Sequence, residues 1–342
     1  MDYRPLGSAG TRVATLCLGT MTFGKETAEA EAFTILDSYV AAGGNFLDTA
    51  DVYQLGVAEE FIGRWLKQRG GRDDLVIASK VRFPMPSGGP DDRNRMGLSR
   101  RWIVRAIEDS LRRLGTDFVD LYQAHCWDPL TPLEESLSTF DDLVTAGKVR
   151  YVGVSNFTGW QLQRAALLTQ INSWAPVVTL QPQYNLLARE IEWELTDLCV
   201  REGIGILPWS PLAGGWLTGK YRSDEAPTGA TRLGEEPGRG VEAYDKRNND
   251  RTWAVLAAME KILADRGSVS LSQIAINWVT ARPAVTSTIL GARTYEQLLD
   301  NLASAEWRLD EGETALLDDV SSPQTPDYPY GYIQENDDIR RK

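Results

Sequence analysis

The chain has 342 residues, 42% of them hydrophobic, a formal net charge of -12 and one histidine. Such a composition supports a large buried core, and its acidic field argues against nucleic acid or an anionic membrane as a general partner. Cys17, Cys126 and Cys199 are too few and too scattered for a disulfide framework or a CxxC metal site, which fits a reducing compartment. No apolar run reaches the length of a membrane span, and the N-terminus MDYRPLGSAG lacks the basic and apolar regions of a signal peptide, so a cytoplasmic location is expected.

In chain order, residues 3–13 read as a short polar hairpin and 14–18 as the first buried strand, stopped by Gly19. Residues 27–42 are helical by period, with Phe33, Leu36 and Val40 on one face and Gly43-Gly44 as the stop. The apolar run Asn45-Phe-Leu47 delivers Asp48 at the end of a second strand, and Tyr53 follows on the loop. A helix over 57–67 precedes a strand over 75–80, which ends in Lys80. A Pro/Gly/charge-rich stretch, 84–97, leads to Ser99, which caps a helix to 114. Strand 118–124 leads to His125. Helix and strand then alternate: helix 133–146, strand 149–154, helix 159–169, strand 177–181, helix 191–201 and strand 204–209. After a long loop, 213–247, come helices 249–265 and 271–281, strand 286–290, and helices 294–304 and 311–319.

Eight strands, each followed by at least one helix, specify an α/β fold of the (β/α)8 TIM-barrel type, with an N-terminal β-hairpin and extra helices after strands 7 and 8. Nothing marks the reversal point of a doubly wound open sheet, the alternative for this alternation. The expected organisation is one catalytic barrel over 1–320 and a C-terminal tail over 321–342. In a barrel the C-terminal ends of the strands surround one mouth. Asp48, Lys80, His125, Ser155, Asn156, Gln181, Trp209 and Gly291 all fall at such ends or one residue past them. Each alone has a plain structural explanation, as a surface lysine, a core histidine or an asparagine in a turn. Eight together at one rim, with Tyr53 on the loop after Asp48, place a carboxylate, a phenol, an ammonium and an imidazole around a single opening, as proton-transfer chemistry requires.

At these positions the chain resembles the aldo-keto reductase family. The resemblance spans about residues 3–320 and rests on Leu47-Asp-Thr-Ala-Asp-Val-Tyr53, Ser79-Lys80, Asp120-Leu-Tyr-Gln-Ala-His125, Gly153-Val-Ser-Asn-Phe157, Leu180-Gln-Pro-Gln-Tyr-Asn185, Pro208-Trp-Ser-Pro-Leu212 and Gly291-Ala-Arg293 with Gln297 and Asn301. It implies the same barrel, a nicotinamide cofactor bound across its mouth, and a catalytic tetrad of Asp48, Tyr53, Lys80 and His125. The activity implied is reversible NADP(H)-dependent reduction of aldehydes and ketones to alcohols, with Tyr53 as general acid and base and no metal required. The chemistry is consistent with that assignment. A phenol has an unperturbed pKa of about 10. An ammonium about 4 Å away is worth roughly 4 kcal/mol at an effective dielectric near 20, enough to lower that pKa by about two to three units. Asp48 would hold Lys80 in place, and a neutral His125 would orient the carbonyl.

For the cofactor, the resemblance implies that Trp209 stacks on the nicotinamide and that Ser155, Asn156 and Gln181 bond its carboxamide. Gly19, Thr20, Met21 and Asp48 would line the same end. Ser210, Pro211, Leu212, Gly214 and Lys220 would belong to a loop covering the pyrophosphate. Gly291, Arg293, Gln297 and Asn301 would hold the adenosine end, with Lys220, Arg293 and Arg232 as the cations for phosphate. Arg293 favours NADP(H) over NAD(H). For the substrate, Tyr53, Phe23, Phe83, His125 and Trp127 are expected to wall the pocket, which suits a small neutral carbonyl compound or alcohol.

Two motifs mislead. Gly214-Gly-Trp-Leu-Thr-Gly-Lys220 spells a phosphate loop, but Tyr221 stands where a magnesium-binding Ser or Thr is required. No Gly-x-Gly-x-x-Gly follows a strand, so a separate dinucleotide domain is not expected. Departures from the family pattern are Cys126 between His125 and Trp127, and Leu290 where a proline is common. A rival reading is a cofactor-sensing regulatory subunit of the same fold, attached to a channel and turning over slowly. That reading calls for an extra partner-binding segment, and none is evident before Tyr3. The tail, with Tyr328, Tyr330 and Tyr332 among prolines, is open to three readings: packing over the mouth, contacting a partner, or disorder.

Overall fold

Eight parallel strands form the barrel: β3 (Leu16–Gly19), β4 (Phe46–Asp48), β5 (Val76–Val81), β6 (Val119–Ala124), β7 (Val149–Ser155), β8 (Val177–Gln181), β9 (Gly205–Ile206) and β10 (Thr288–Gly291). They pair in the order β10-β3-β4-β5-β6-β7-β8-β9. Ile206 closes the ring by donating to the Ala284 carbonyl and accepting from the Thr286 amide, both at 2.8 Å. In this computed structural model the residues described are all but 89–91, 230, 237, 239 and 342, together with the side chains of 232 and 337–341.

Helices α1 (Glu29–Ala41), α2 (Val57–Arg69), α3 (Arg100–Leu114), α4 (Leu133–Thr145), α5 (Gly159–Ile171) and α6 (Leu195–Glu202) follow the first six barrel strands that a crossover requires. Local sequence sets their ends. Ser99 accepts from the Trp102 amide to start α3, and Gly115 takes the left-handed conformation that stops it. The loop after β9 carries two one-turn helices, α7 (Arg232–Glu235) and α8 (Tyr244–Arg247). Then come α9 (Asp250–Arg266), α10 (Leu271–Thr280), α11 (Tyr295–Ala303), α12 (Glu311–Val320) and α13 (Tyr332–Arg341). The extra helices after strands 7 and 8 are therefore present.

The core has two parts. The larger lies between strands and helices, and the smaller fills the barrel with Cys17, Phe46, Ala78, Leu121, Val178, Leu207 and Ile289. Leu6 and Val13 of the antiparallel hairpin β1 (Tyr3–Pro5) and β2 (Arg12–Ala14) belong to that inner cluster. The hairpin thus plugs the barrel at one end. Gly7 sits so close that a Cβ there would lie 2.0 Å from the Val178 carbonyl oxygen, and its φ of +57° is one that glycine adopts cheaply.

The period of two along each strand decides what reaches the other end. Phe46, Ala78 and Leu121 point into the inner cluster, so Asp48, Lys80 and Gln123 point inward one layer higher. That polar layer floors the mouth.

Two expected strands are shorter than their apolar runs. β9 covers only Gly205–Ile206 because Pro208 has no amide to donate, and beyond it Trp209 makes a single bridge to Gln183. β10 runs only from Thr288 to Gly291, but the chain just before it already joins the ring, since the Thr286 amide donates to the Ile206 carbonyl at 2.8 Å, while the Ser287 hydroxyl donates to the Ala14 carbonyl at 2.6 Å. The tail is not left to itself. Tyr330 stacks on Trp193 with centroids 5.5 Å apart, and its hydroxyl donates to Glu194 Oε1 at 2.7 Å, fixing it beside the loop before α6.

Candidate active site

The ends of β4 and β5 meet in a buried triad of groups. Lys80 Nζ donates to Asp48 Oδ1 at 2.5 Å, to the Thr49 carbonyl at 2.8 Å and to the Tyr53 hydroxyl at 3.0 Å. An ammonium has three donors, so all three are committed and the side chain has one position. Because the Tyr53 oxygen accepts from Lys80, its own proton is directed elsewhere. Asp48 Oδ2 accepts from Gln181 Nε2 at 2.8 Å and lies 3.5 Å from Gln123 Nε2. Gln123 was not among the expected residues; the inward period set by Leu121 would have found it.

His125, one residue past β6, packs its ring edge-on to Tyr53, with centroids 5.9 Å apart, and to Phe83, at 4.7 Å. Its backbone amide donates to the Val81 carbonyl at 3.0 Å, which anchors the residue at the strand end. Tyr53 opens a tight turn in which Gln54 and Leu55 take left-handed φ of 50° and 54° before Gly56. Such φ values cost non-glycine residues about 1 kcal/mol or more each. The strain turns the chain so that Tyr53 faces back over Lys80.

Burial governs the protonation of this site. It pulls the Lys80 ammonium down, but Asp48 and Tyr53 outweigh it and the net direction is upward, so Lys80 stays charged. Burial pushes Tyr53 up; Lys80 opposes this, Asp48 adds to it, and the phenol ends above its ordinary value. The expectation that Lys80 lowers the phenol overall is therefore corrected. A point-charge estimate leaves out desolvation of the phenolate, and that is the largest effect here. Burial, then Lys80 and Arg82, hold His125 well below the usual imidazole value, so it is neutral.

A cavity of about 890 Å³ runs from these groups across the mouth. Gly19, Met21, Asp48, Tyr53, Phe83 and His125 line its inner part, Ser155, Asn156, Gln181 and Trp209 its wall. Ser210, Pro211, Leu212, Gly214 and Lys220 line the side under residues 213–247, and Gly291, Arg293, Gln297 and Asn301 the far end. The wall is internally bonded. Asn156 Nδ2 donates to the His125 carbonyl and to Ser155 Oγ, both at 3.0 Å, and its Oδ1 accepts from Trp209 Nε1 at 3.1 Å. Asn156 and Ser210 both sit at φ +56°, the turns that swing these side chains out of the strand direction.

Three expected residues lie elsewhere, and Lys80, though part of the floor, does not itself line the cavity. Phe23 is fully buried in the outer core and does not reach the cavity, because the turn from Thr22 to Thr27 folds it inward. Trp127 packs edge-on against Phe157 and Trp160, both at 5.3 Å, and is turned from the lining by the extra residue Cys126. Thr20 is buried and donates to the Asp48 carbonyl at 3.1 Å. Lys80 lies behind Tyr53, outside the lining. The side chain of Arg232 is outside the described residues. Gln297 and Asn301 each spend an amide group on the strand end: Gln297 Oε1 accepts from the Arg293 amide at 2.9 Å, and Asn301 Nδ2 donates to the Gly291 carbonyl at 3.1 Å.

Several lining residues carried no signal in the sequence. Glu242 Oε1 accepts from Gln183 Nε2 at 2.5 Å and from Ser210 Oγ at 3.0 Å. Glu26 and Asp300 also line the cavity. Their place depends on which loops meet across the mouth.

The cavity fits a dinucleotide by observation as well as size. Arg293 Nη2 is buried against it with no hydrogen-bond partner among the described residues, a donor set for an anionic or polar ligand. Gly214 and Gly215, at φ 65° and 99°, turn the backbone close under the cover.

Comparison with known proteins gives the family. The sequence model of the Aldo/keto reductase family matches residues 15–322. YrpG of Bacillus subtilis (strain 168), described as an uncharacterized oxidoreductase, is 38% identical over 97% of this chain and 99% of its own length. An aryl-alcohol dehydrogenase [NADP(+)] of Phanerodontia chrysosporium is 32% identical over 94% of this chain and 86% of its own. A probable voltage-gated potassium channel subunit beta of Arabidopsis thaliana is 36% identical over 90% of this chain and 92% of its own.

Proposed function

Because this chain belongs to the aldo/keto reductase family, we propose that it is an NADP(H)-dependent oxidoreductase that interconverts small aldehydes or ketones and their alcohols, with Tyr53 moving the proton. The observation that carries this reading is Lys80 Nζ touching both Asp48 Oδ1 and the Tyr53 hydroxyl beside the His125 ring.

When bound, the nicotinamide supplies the hydride to the carbonyl carbon. Tyr53 donates its proton to the carbonyl oxygen as that oxygen becomes an alkoxide, and the phenolate left behind is held by the Lys80 ammonium. Asp48 fixes the ammonium and keeps the buried charge paired. His125, neutral, orients the carbonyl by hydrogen bonding. In oxidation each step reverses, and Tyr53 takes the proton of the alcohol. A phenol held above its ordinary value remains an acid throughout the neutral range, which suits reduction. Trp209 offers a flat wall for the nicotinamide, while Ser155, Asn156 and Gln181 offer their remaining polar atoms to its carboxamide. Lys220, on the cover, would hold the pyrophosphate, and Arg293 the ribose phosphate. Met21 and Phe83 give the reacting end an apolar lining, which suits neutral carbonyl compounds.

Loss of NADPH absorbance with a panel of aldehydes tests the activity directly. Tyr53→Phe should lower the rate by about 10²–10⁴-fold while leaving the dinucleotide Kd nearly unchanged. A variant that kept most of its activity would remove Tyr53 from the acid role. Equal kcat/KM with NADH and NADPH, or a preference for NADH, would remove the NADP(H) assignment. The similarity to a channel subunit supports a second reading, a cofactor-sensing role; tight NADPH binding with almost no turnover on any carbonyl would favour it.

A further inference from the structure

At the end of the cavity built by β10 and the start of α11, Arg293 stands between two carboxylates. Its Nη2 is 3.6 Å from Glu26 Oε1 and 3.7 Å from Glu235 Oε2. Both distances are ion pairs and both are too long for a hydrogen bond, which is why that nitrogen has no hydrogen-bond partner among the described residues. We propose that Glu26 is a specificity-determining residue that limits how strongly the protein prefers a 2′-phosphorylated dinucleotide over one with a free 2′-hydroxyl. The proposal rests on the reading that the cavity takes a nicotinamide dinucleotide with its adenosine ribose at Arg293.

Geometry separates Glu26 from Glu235. The Glu26 side chain is 10% exposed and that of Glu235 is 47% exposed. Glu26 ends a tight turn in which its amide and that of Thr27 both donate to the Thr22 carbonyl at 3.0 Å. The two ends of this turn are stapled to the arginine segment: Thr22 Oγ1 donates to the Ala292 carbonyl at 3.0 Å, and Thr27 Oγ1 to the Arg293 carbonyl at 3.1 Å. Arg293 is held in turn by Gln297 through its own amide. Acid and base are therefore fixed relative to each other. Glu235, on the one-turn helix α7, can rotate into solvent when a ligand arrives.

A phosphate monoester brings about 1.5–2 negative charges at neutral pH. Seated on Arg293 Nη2, it would meet the Glu26 carboxylate within a few ångström, in a pocket where charge is poorly screened. The rest of the described lining does not offset this. Lys220 and Arg293 are its described cations, against Glu26, Asp48, Glu242 and Asp300. A ribose 2′-hydroxyl meets the opposite situation, since a carboxylate can accept its proton. Glu26 thus weakens the attraction of Arg293 for phosphate and gives the unphosphorylated ribose a partner. The two residues work as a balanced pair, and the preference for NADPH is modest.

Equilibrium titration tests this without any turnover. The Kd values of NADPH and NADH, and of adenosine 2′,5′-bisphosphate and AMP as fragments lacking the nicotinamide, would be read from tryptophan fluorescence in the unmodified protein, Glu26→Gln and Glu235→Gln. Glu26→Gln keeps shape and hydrogen bonding, and a melting curve checks that it folds; Glu26→Ala serves as the second variant. The expected result is that both Glu26 variants widen the NADPH-over-NADH affinity ratio by about tenfold, and the bisphosphate-over-AMP ratio likewise, a plausible effect for one poorly screened charge. Glu235→Gln should move either ratio by less than about twofold. Unchanged or narrowed ratios in the Glu26 variants, with NADPH still bound, would overturn the proposal and leave the functional reading intact. If the unmodified protein bound none of the four ligands, the functional reading itself would fall, and the proposal with it.

Discussion

The floor of the cavity and its cover face the same space but are secured differently. At the floor, Lys80, Asp48 and Tyr53 are joined by bonds of 2.5–3.0 Å on the ends of two neighbouring parallel strands, with no exposed lysine surface. Among its described residues the cover over 213–247 has no strand and only short helical segments. It is held by a few anchors: Trp216, which donates to the Glu242 carbonyl at 3.0 Å and stacks on Tyr244, and Glu242 itself, which accepts from Gln183 and Ser210. A floor built on paired strands cannot shift without breaking the barrel. A cover held by separate side chains can open with local loss only, as binding and release of a large ligand require.

Lys80→Met should separate the two regions most sharply. It removes the charge that supports the phenolate and leaves Asp48 buried without its cation, which costs about 3–5 kcal/mol of stability. Turnover should vanish in single-turnover measurements and the melting temperature should fall steeply. An intact melting temperature would show that the floor is less tightly coupled to the fold than its geometry indicates. Trp216→Ala should do the reverse. A Trp→Ala cavity costs about 3–5 kcal/mol, here spent on opening the cover. Faster hydrogen exchange over 213–247, a weaker dinucleotide Kd and a nearly unchanged kcat at saturation are expected. A fall in kcat as large as that of Tyr53→Phe would erase the distinction.

Asp51 sharpens the comparison from below the floor. Burial, then Glu59, raises its carboxyl well above the ordinary value, and neither oxygen has a hydrogen-bond partner among the described residues. A folded pKa above the unfolded one means that the unfolded state gives up its proton first as pH rises. Asp51 therefore costs no stability below about pH 4, its unfolded value, and costs progressively more up to its folded pKa. Asp51→Asn should stabilise the protein at neutral pH and lose that advantage on acidification, as denaturation at two pH values would show. Equal effects at both would place the cause in packing instead of charge. Tyr330→Phe is expected to do least. It removes one exposed hydrogen bond to Glu194, so stability should hardly change and kinetics should be untouched. A change in KM would connect the tail to the mouth.

The floor was legible in the sequence because its information is local. Apolar runs of strand length ending in Asp48, Lys80 and His125 mark both the element and the residue at its tip, and the alternation of side chains sets which face each takes. The direction of the Tyr53 shift was not legible, because it depends on how much water the fold removes around the phenol. Phe23 and Trp127 went astray for a related reason. An aromatic residue near a strand end can turn to the cavity or to the core, and a tight turn or the single extra residue Cys126 decides which.

The amino-acid sequence by itself determined the barrel, the order of its strands and the three groups at their tips, with Tyr53 on the turn beyond one of them, since periodicity and turn chemistry act over a few residues. Tertiary structure alone decided which loops meet across the mouth. It brought Thr27 to Arg293, 266 positions apart, and so set Glu26 against the same arginine. It also laid Glu242 on Ser210. Contacts of that kind depend on closure of the ring through Ile206 and the strand before Ile289, and no short stretch of chain encodes a distance that exists only once the ring has closed.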